Sequence, residues 1–438
     1  MSAPAAAPDA DDEILVVQLE GLLDPPNATL VLDAIERAND SGNTTAVILQ
    51  IDSGGAVDVD VDELVAAIED SGVPIVAWVG PSGADAKGAT AVLLQAAHVA
   101  TVATDTGTGP ADPLRLDSPG SPSGSEVTEL LVALAEARDR NPEVAREMAS
   151  TRVGWDELGD DATGIGVRPT LGDVIVSLDG EIVETAAGTV ELSTARITGE
   201  GLDQRREPNQ DVLFDRLGLR DQVLHTLISP SIAYVLLVAG LALILFEFFT
   251  VSIGVAGITG GIAVVGAFIG FSHLAVTWWG VALLLLAMLG FAVDVQAGGL
   301  GPWTGIGLAA LVAGSLTLYG GSSRLNVPWW VIVLVILGTL LFMLGAMTAV
   351  IRARFSTPTV GREGMVGAQG AAEVDVAPDG VVVIDGARWR ARTNRATPIK
   401  AGDPVQVVAV EGVLLEVEPP TGGARDYREA YRERRGKK

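Results

Sequence analysis

The sequence predicts three structural regimes in one chain of 438 residues: an α/β domain, a bundle of membrane-crossing helices and a small all-β barrel. Three observations predict them. Near the N-terminus, apolar runs of strand length alternate with amphipathic helical stretches, the pattern of a mainly parallel sheet covered on both faces. Between residues 230 and 350, long runs carry almost no charge. After residue 356, short β-rich segments are punctuated by Gly and Asp. Charge follows the same partition. Residues 1–200 hold 36 Asp+Glu against 9 Lys+Arg, while the whole chain carries −26, so the remainder is close to neutral.

Residues 1–12 are Ala/Pro-rich with neither a basic nor an apolar leader region, and are expected to be a disordered tail without a signal peptide. The α/β domain is expected over 13–197. Ile14–Leu19 and Ala46–Ile51 read as buried strands, with a helix over Asn27–Ala38 between them, capped by Asn27. A second helix over Val59–Ile68 follows the turn at Gly54–Gly55, and Ile75–Val79 is the third strand. Val127–Arg138 reads as another helix, and Val174–Leu178 with Glu181–Val183 as a late strand pair around Asp179–Gly180. Residues 198–229 read as a linker.

Pro230–Phe249, Val251–Phe271, Leu274–Val293, Trp303–Tyr319 and Val327–Val350 hold one charge in all, Glu247. Each is close to the length that crosses a hydrocarbon core of about 30 Å, so the region 230–350 is expected to form about five transmembrane helices. Val251–Phe271 carries six glycines, which favour close helix packing or a re-entrant segment. Trp278, Trp279, Trp303, Trp329 and Trp330 lie near the span ends, as interfacial aromatics do. Arg352 and Arg354 after the last span place the C-terminal domain on the cytoplasmic side; five spans put the α/β domain opposite it, four put both together. Glu247 and Asp294 sit at span edges, where interfacial placement is the simpler reading and proton relay the alternative.

In 356–420, Glu373–Val376, Val381–Ile384, Trp389–Arg392, Val405–Val410 and Leu414–Val417 read as five strands, which fit a small barrel of the OB type. Residues 421–438 form a basic tail, either a solvated end or an arm on anionic lipid.

The chain contains no cysteine, which excludes disulfides, thiolate zinc sites and Cys nucleophiles. Three histidines leave little room for a His-based metal centre, and Asp58, Asp60, Asp62 and Glu69 mimic a calcium loop whose sixth position is Glu63 where glycine is needed. Neither a metal nor a cofactor is expected. The acidic domain repels phosphate, so nucleic acid is not an expected partner. With only four lysines, this composition resembles that of proteins from halophilic archaea.

The order of these parts, with YVLLVAG at Tyr234–Gly240, the Gly361–Gly367 turn, DGVVVIDGARWRA at Asp379–Ala391 and IKAGDPVQVVAVEGVLLEV at Ile399–Val417, resembles the long-form NfeD family. That resemblance implies a Clp-protease-like, crotonase-type N-terminal domain, a polytopic membrane region and an OB-fold C-terminal domain. It also implies a serine protease with a Ser-Lys dyad in active members, and partners of the stomatin/prohibitin type.

Carried onto this chain, the dyad is missing. The oxyanion-type turn corresponds to Ile51-Asp52-Ser53-Gly54-Gly55, one residue short of the family's Asp-Thr-Pro-Gly-Gly. The nucleophile segment registers without gaps over Pro81–Leu114 and puts Gly88 at the nucleophile position. Counting back nineteen residues from Asn141, in the Ala135–Asn141 stretch, puts Pro122 at the base position. Glycine has no hydroxyl to attack with, and proline cannot take a proton. A relocated dyad would draw on Ser53, Ser82, Thr90 and Lys87. The expectation is a degenerate protease-like domain in a membrane scaffold, a homo-oligomer that binds peptide or partner. An active serine peptidase with a relocated nucleophile is the alternative, and a channel or transport role for the helices a third reading.

Overall fold

The computed structural model describes residues 12–117, 122–159, 162–198, 205–250, 254–297, 301–319, 325, 327–349 and 362–421. The expected disordered tail up to residue 11, the basic tail after residue 421, and Arg352 and Arg354 fall outside them. The chain divides into two units, 1–352 and 353–438.

In the first unit, β1 (Glu13–Leu23) and β2 (Thr44–Ala56) run parallel in register from Glu13↔Thr44 to Leu23↔Ala56. β3 (Ile75–Val79), β4 (Asp85–Ala86), β5 (Val99–Val102), β6 (Gly107–Thr108), β7 (Val153–Gly154) and β8 (Gly166–Val167) complete the order β7-β6-β4-β2-β3-β5-β8, with β1 also on β2. One face packs Val17, Leu49 and Ala77 against helices α1 (Pro25–Ser41), α2 (Val61–Glu69), α3 (Ala89–Ala96), α4 (Ser125–Ala137) and α5 (Pro142–Ser150). The other packs Ile14, Ile48 and Trp78 against Val174, Ile175 and Leu178. Burial on both faces is why these strands read as continuous apolar runs.

Several boundaries and two assignments differ from the sequence reading. The cap of α1 is Asp24, not Asn27: its carboxylate accepts the Asn27 amide, and Pro25 and Pro26 supply a first turn already set for the helix. Asp60 caps α2, and among the described residues no acidic group is arranged to hold a metal. Leu171–Ser177 is a helix with a Thr170/Asp173 capping box, so Val174–Leu178 is not a strand; the late pair is Ile182–Thr185 with Gly188–Glu191. Residues 198–229 are structured where described. Ala195–Thr198 pairs with Arg205–Pro208, Asp211–Asp215 adds to the sheet edge parallel to β1, and Leu219–Ile228 is a helix.

Among the described residues, five apolar helices follow. Pro230–Phe249, Trp278–Ala297 and Trp329–Met347 are long and apolar enough to cross a membrane, whereas Val255–Phe271 and Pro302–Thr317 have 17 and 16 residues. Pro230–Phe249 with Val255–Phe271, and Trp278–Ala297 with Pro302–Thr317, form two hairpins of one design. In the first, the Glu247 carboxylate accepts the amides of Gly254 and Gly257, seven and ten residues on. In the second, Asp294 accepts those of Gly301 and Thr304, at the same two spacings, and the Thr304 hydroxyl as well. Each carboxylate satisfies donors at the start of the returning helix that lipid cannot. Both carboxylates thus cap the start of the following helix. Glycines let the helices touch: a Cβ at Gly260 would fall 2.6 Å from the Gly240 carbonyl. Trp278, Trp279, Trp303, Trp329 and Trp330 are all exposed near helix starts.

The second unit is a closed barrel in which Gln369–Ala372, Asp379–Ile384, Ala387–Arg392, Leu414–Glu418 and Pro404–Glu411 follow one another around the ring. Val382, Ile384, Ala391, Val405, Val407, Leu415 and Val417 fill it. The expected strand Glu373–Val376 is a turn with an isolated Val376↔Ile399 bridge, and the first strand lies earlier.

Candidate functional site

Gly88 lies at the sharp turn between β4 and α3, with φ 63 and ψ −136. This strand-to-helix geometry projects a residue's side chain out of a sheet edge, which is why hydrolases place a nucleophile there. Here the turn is buried and bare. A Cβ at Gly88 would meet the Leu114 carbonyl at 3.0 Å and the Gly55 Cα at 3.4 Å, so the paired-glycine turn and the β4–α3 turn are close neighbours. The structure thus sets Gly88 beside Gly55, the second glycine of the Gly54–Gly55 turn. Pro122 is exposed ahead of α4.

The relocated candidates do not form a dyad among the described contacts. The buried Ser53 hydroxyl donates to the Gly55 carbonyl at 3.1 Å. Ser82 is exposed and donates to Asp105 at 3.4 Å, and the Thr90 hydroxyl donates to the Lys87 carbonyl at 2.9 Å. The Lys87 ammonium sits 2.6 Å from the Asp85 carboxylate, which also pairs with Arg152 at 2.8 Å. Burial pushes the Asp85 carboxyl upward, but the hydrogen bonds and charges of Lys87 and Arg152 outweigh it and hold the group below the usual range. The Lys87 amine is thus engaged by a carboxylate and is not directed at a hydroxyl.

The amides that would face a developing oxyanion are occupied. The Gly88 N–H donates to the Pro110 carbonyl at 3.1 Å, and the Ala89 N–H to the Leu114 carbonyl at 3.0 Å. Gly55 N–H approaches the Ser53 hydroxyl at 3.4 Å. The main chain around Leu114 is the participant that the sequence reading missed. Its signal was available in Pro113-Leu-Arg-Leu-Asp117, which alternates apolar and polar residues across the end of the registered segment.

Two further groups surround the site. Asp24 is fully buried and holds His225 at 2.6 Å, while Asp58 holds His273 at 2.6 Å, each pair tying the α/β domain to the membrane helices or the segment just before them. His225 is raised by its hydrogen bond to Asp24, against burial. A cavity of about 500 Å³ opens beside this pair, lined by Gly21, Asp24, Gly54, His225, Ser229 and Pro230. His98 follows α3, accepts the Ile75 amide at 3.0 Å and is lowered to about 4 by burial, with Arg138 and Arg140 adding to the effect.

Known proteins share these features. Residues 231–368 match the NfeD integral membrane domain, and 362–419 the NfeD-like C-terminal, partner-binding domain. A membrane-bound protease of Pyrococcus horikoshii, PH1510, is 26% identical over 400 residues, covering 87% of this chain and 88% of that protein. Among solved structures, the 1510-N membrane protease specific for a stomatin homolog from P. horikoshii is 18% identical with a TM-score of 0.40, covering 49% of this chain and 98% of that one. The C-terminal domain of the stomatin operon partner protein 1510-C from the same organism is 33% identical over 13% of this chain and 91% of that one, with a TM-score of 0.13. The NfeD family's membrane and C-terminal domains are thus matched in succession over residues 231–419, and a relative aligns along most of the chain.

Proposed function

We propose that this protein is a multi-pass membrane scaffold of the NfeD family whose protease-like domain binds segments of other proteins without cutting them. It would work with a stomatin- or prohibitin-type partner in membrane organisation or quality control. The observation that carries the non-catalytic half is Gly88: the turn suited to a nucleophile holds a residue without a side chain, and the neighbouring Lys87 amine is tied to Asp85. Support for the partner class comes from the relative described as specific for a stomatin homolog and from the partner-binding description of the C-terminal domain. Five crossings would set the barrel in the cytoplasm and the α/β domain on the far side, in a homo-oligomer. No cofactor or metal enters this reading.

The test uses the full chain in lipid nanodiscs with peptides from a stomatin-type partner. Retention of the peptide with no new termini by mass spectrometry is the expected result. Cleavage that disappears in Ser53→Ala or Ser82→Ala would establish the rival reading, an active peptidase with a relocated nucleophile.

A further inference from the structure

We propose that Pro113–Asp117 is a resident occupant of the cleft beside Gly88, a self-ligand that must leave before any other peptide can enter. The proposal rests on the binding reading above and deepens it by naming what holds the site shut. Four contacts place the segment. The Leu114 carbonyl takes the Ala89 amide at 3.0 Å, at the first residue of α3. The Leu116 amide donates to the Ala56 carbonyl at 2.8 Å, extending main-chain pairing past the point where β4 stops at Ser53↔Ala86. The Asp58 amide donates to the Asp117 carboxylate at 2.9 Å. Arg115 forks onto that same carboxylate, at 3.2 and 2.7 Å, which holds the end of the segment in place.

The glycines of the site are shaped to this occupant. A Cβ at Gly55 would stand 2.7 Å from Leu116 Cδ1, and one at Gly88 3.0 Å from the Leu114 carbonyl. Both are at positive φ, where a side chain is strained even without a neighbour. A side chain at position 88 would therefore crowd the Leu114 carbonyl, which would have to give by a few tenths of an ångström.

Leu114 and Leu116 are 2% and 5% exposed, yet they serve different cores. Leu114 packs within the α/β domain, whereas Leu116 joins Val57 and Ile228 in the apolar cluster that continues into the membrane helices. Withdrawing the segment would therefore disturb the junction between the domain and the helices. That junction is also tied by Asp58, whose carboxylate holds His273. The competing ligand is defined by what the segment presents: an extended peptide with a carbonyl for Ala89, an apolar side chain for the Gly55 hollow and a carboxylate for the Asp58 amide.

The test uses the full chain in nanodiscs and a fluorescein-labelled peptide with the sequence of residues 112–117. A cleft open only a small fraction of the time lowers apparent affinity by that fraction, so Leu116→Ala should bind the peptide about tenfold or more tightly than the unaltered protein. Leu131→Ala, which truncates a buried leucine on α4, should not, and this separates release of the segment from general loosening. Because the chain has no cysteine, Leu116→Cys supplies a single thiol, and saturating peptide should accelerate its maleimide labelling. Equal affinity in the unaltered protein and Leu116→Ala, or labelling unmoved by peptide, overturns the proposal. Peptide bound more tightly by Leu116→Ala but hydrolysed would leave the occupancy standing and remove the non-catalytic reading.

Discussion

The β4–α3 turn and the two apolar hairpins face the same problem, helix N-termini whose amides have no partner in their own helix, and they solve it differently. In the hairpins the partner is a side chain, Glu247 or Asp294, fixed to the preceding helix. In the cleft it is main chain, the carbonyls of Pro110 and Leu114. A carboxylate seven and ten residues away cannot leave without unfolding the hairpin. A strand-like segment can, because its own amides and carbonyls are satisfied equally well by water. The contrast separates polar contacts that are permanent structure from those that form a removable plug.

Breaking the permanent caps should have the largest effect. Asp294→Ala removes the acceptor of two amides and a hydroxyl, and should lower the thermal unfolding temperature in detergent more than Glu247→Ala, Gly88→Ser or Lys87→Ala. Asp294→Asn, which keeps one oxygen acceptor, should recover part of the loss. Glu247→Ala, with two amides at stake, should cost about 2 kcal/mol, the upper end for a helix cap. Equal stability of Asp294→Ala and the unaltered protein would remove the distinction between fixed and removable caps.

The cleft should respond less. Gly88→Ser introduces a side chain at positive φ against the Leu114 carbonyl, and should cost about 1 kcal/mol, the lower end for a strained backbone position, without creating peptidase activity. Denaturant unfolding and a peptide-cleavage assay on the same preparation check both halves.

Titration sharpens the comparison further. His98 has its pKa lowered to about 4, so the unfolded chain binds the proton more readily; the stability it contributes is full above the ordinary value near 6.5 and lost as pH falls towards 4. His225 is raised by Asp24, so its contribution is full below the ordinary value and lost as pH rises through the shifted one. Thermal melts from pH 4 to 8 should therefore lose their acid-side decline in His98→Gln and their alkaline-side decline in His225→Gln. Matching profiles for both variants would contradict these assignments. The smallest effect belongs to Lys87→Ala: its pair with Asp85 is partly exposed, and should be worth no more than about 1 kcal/mol by chemical denaturation.

The sheet, the apolar helices and the barrel were legible because each rests on a local period or a run length. What escaped depends on distant pairing. Asp211–Asp215 is a strand because β1 offers it an edge, which no window around 211 reveals. Val174–Leu178 is equally apolar as strand or helix, and only the Thr170/Asp173 capping box decides it. At the site, Gly88 was legible as a missing side chain, since absence of a hydroxyl is a property of one letter. The occupation of the Ala89 amide was not, because it is made by main chain 25 residues further on.

The most direct measurement is intact-mass analysis of the full-length protein in nanodiscs after exposure to a fluorophosphonate. The expected result is an unchanged mass at every time point, because among the described residues the Ser53, Ser82 and Thr90 hydroxyls have no contact with the Lys87 amine. A stoichiometric adduct mapping to Ser53, Ser82 or Thr90 would contradict it.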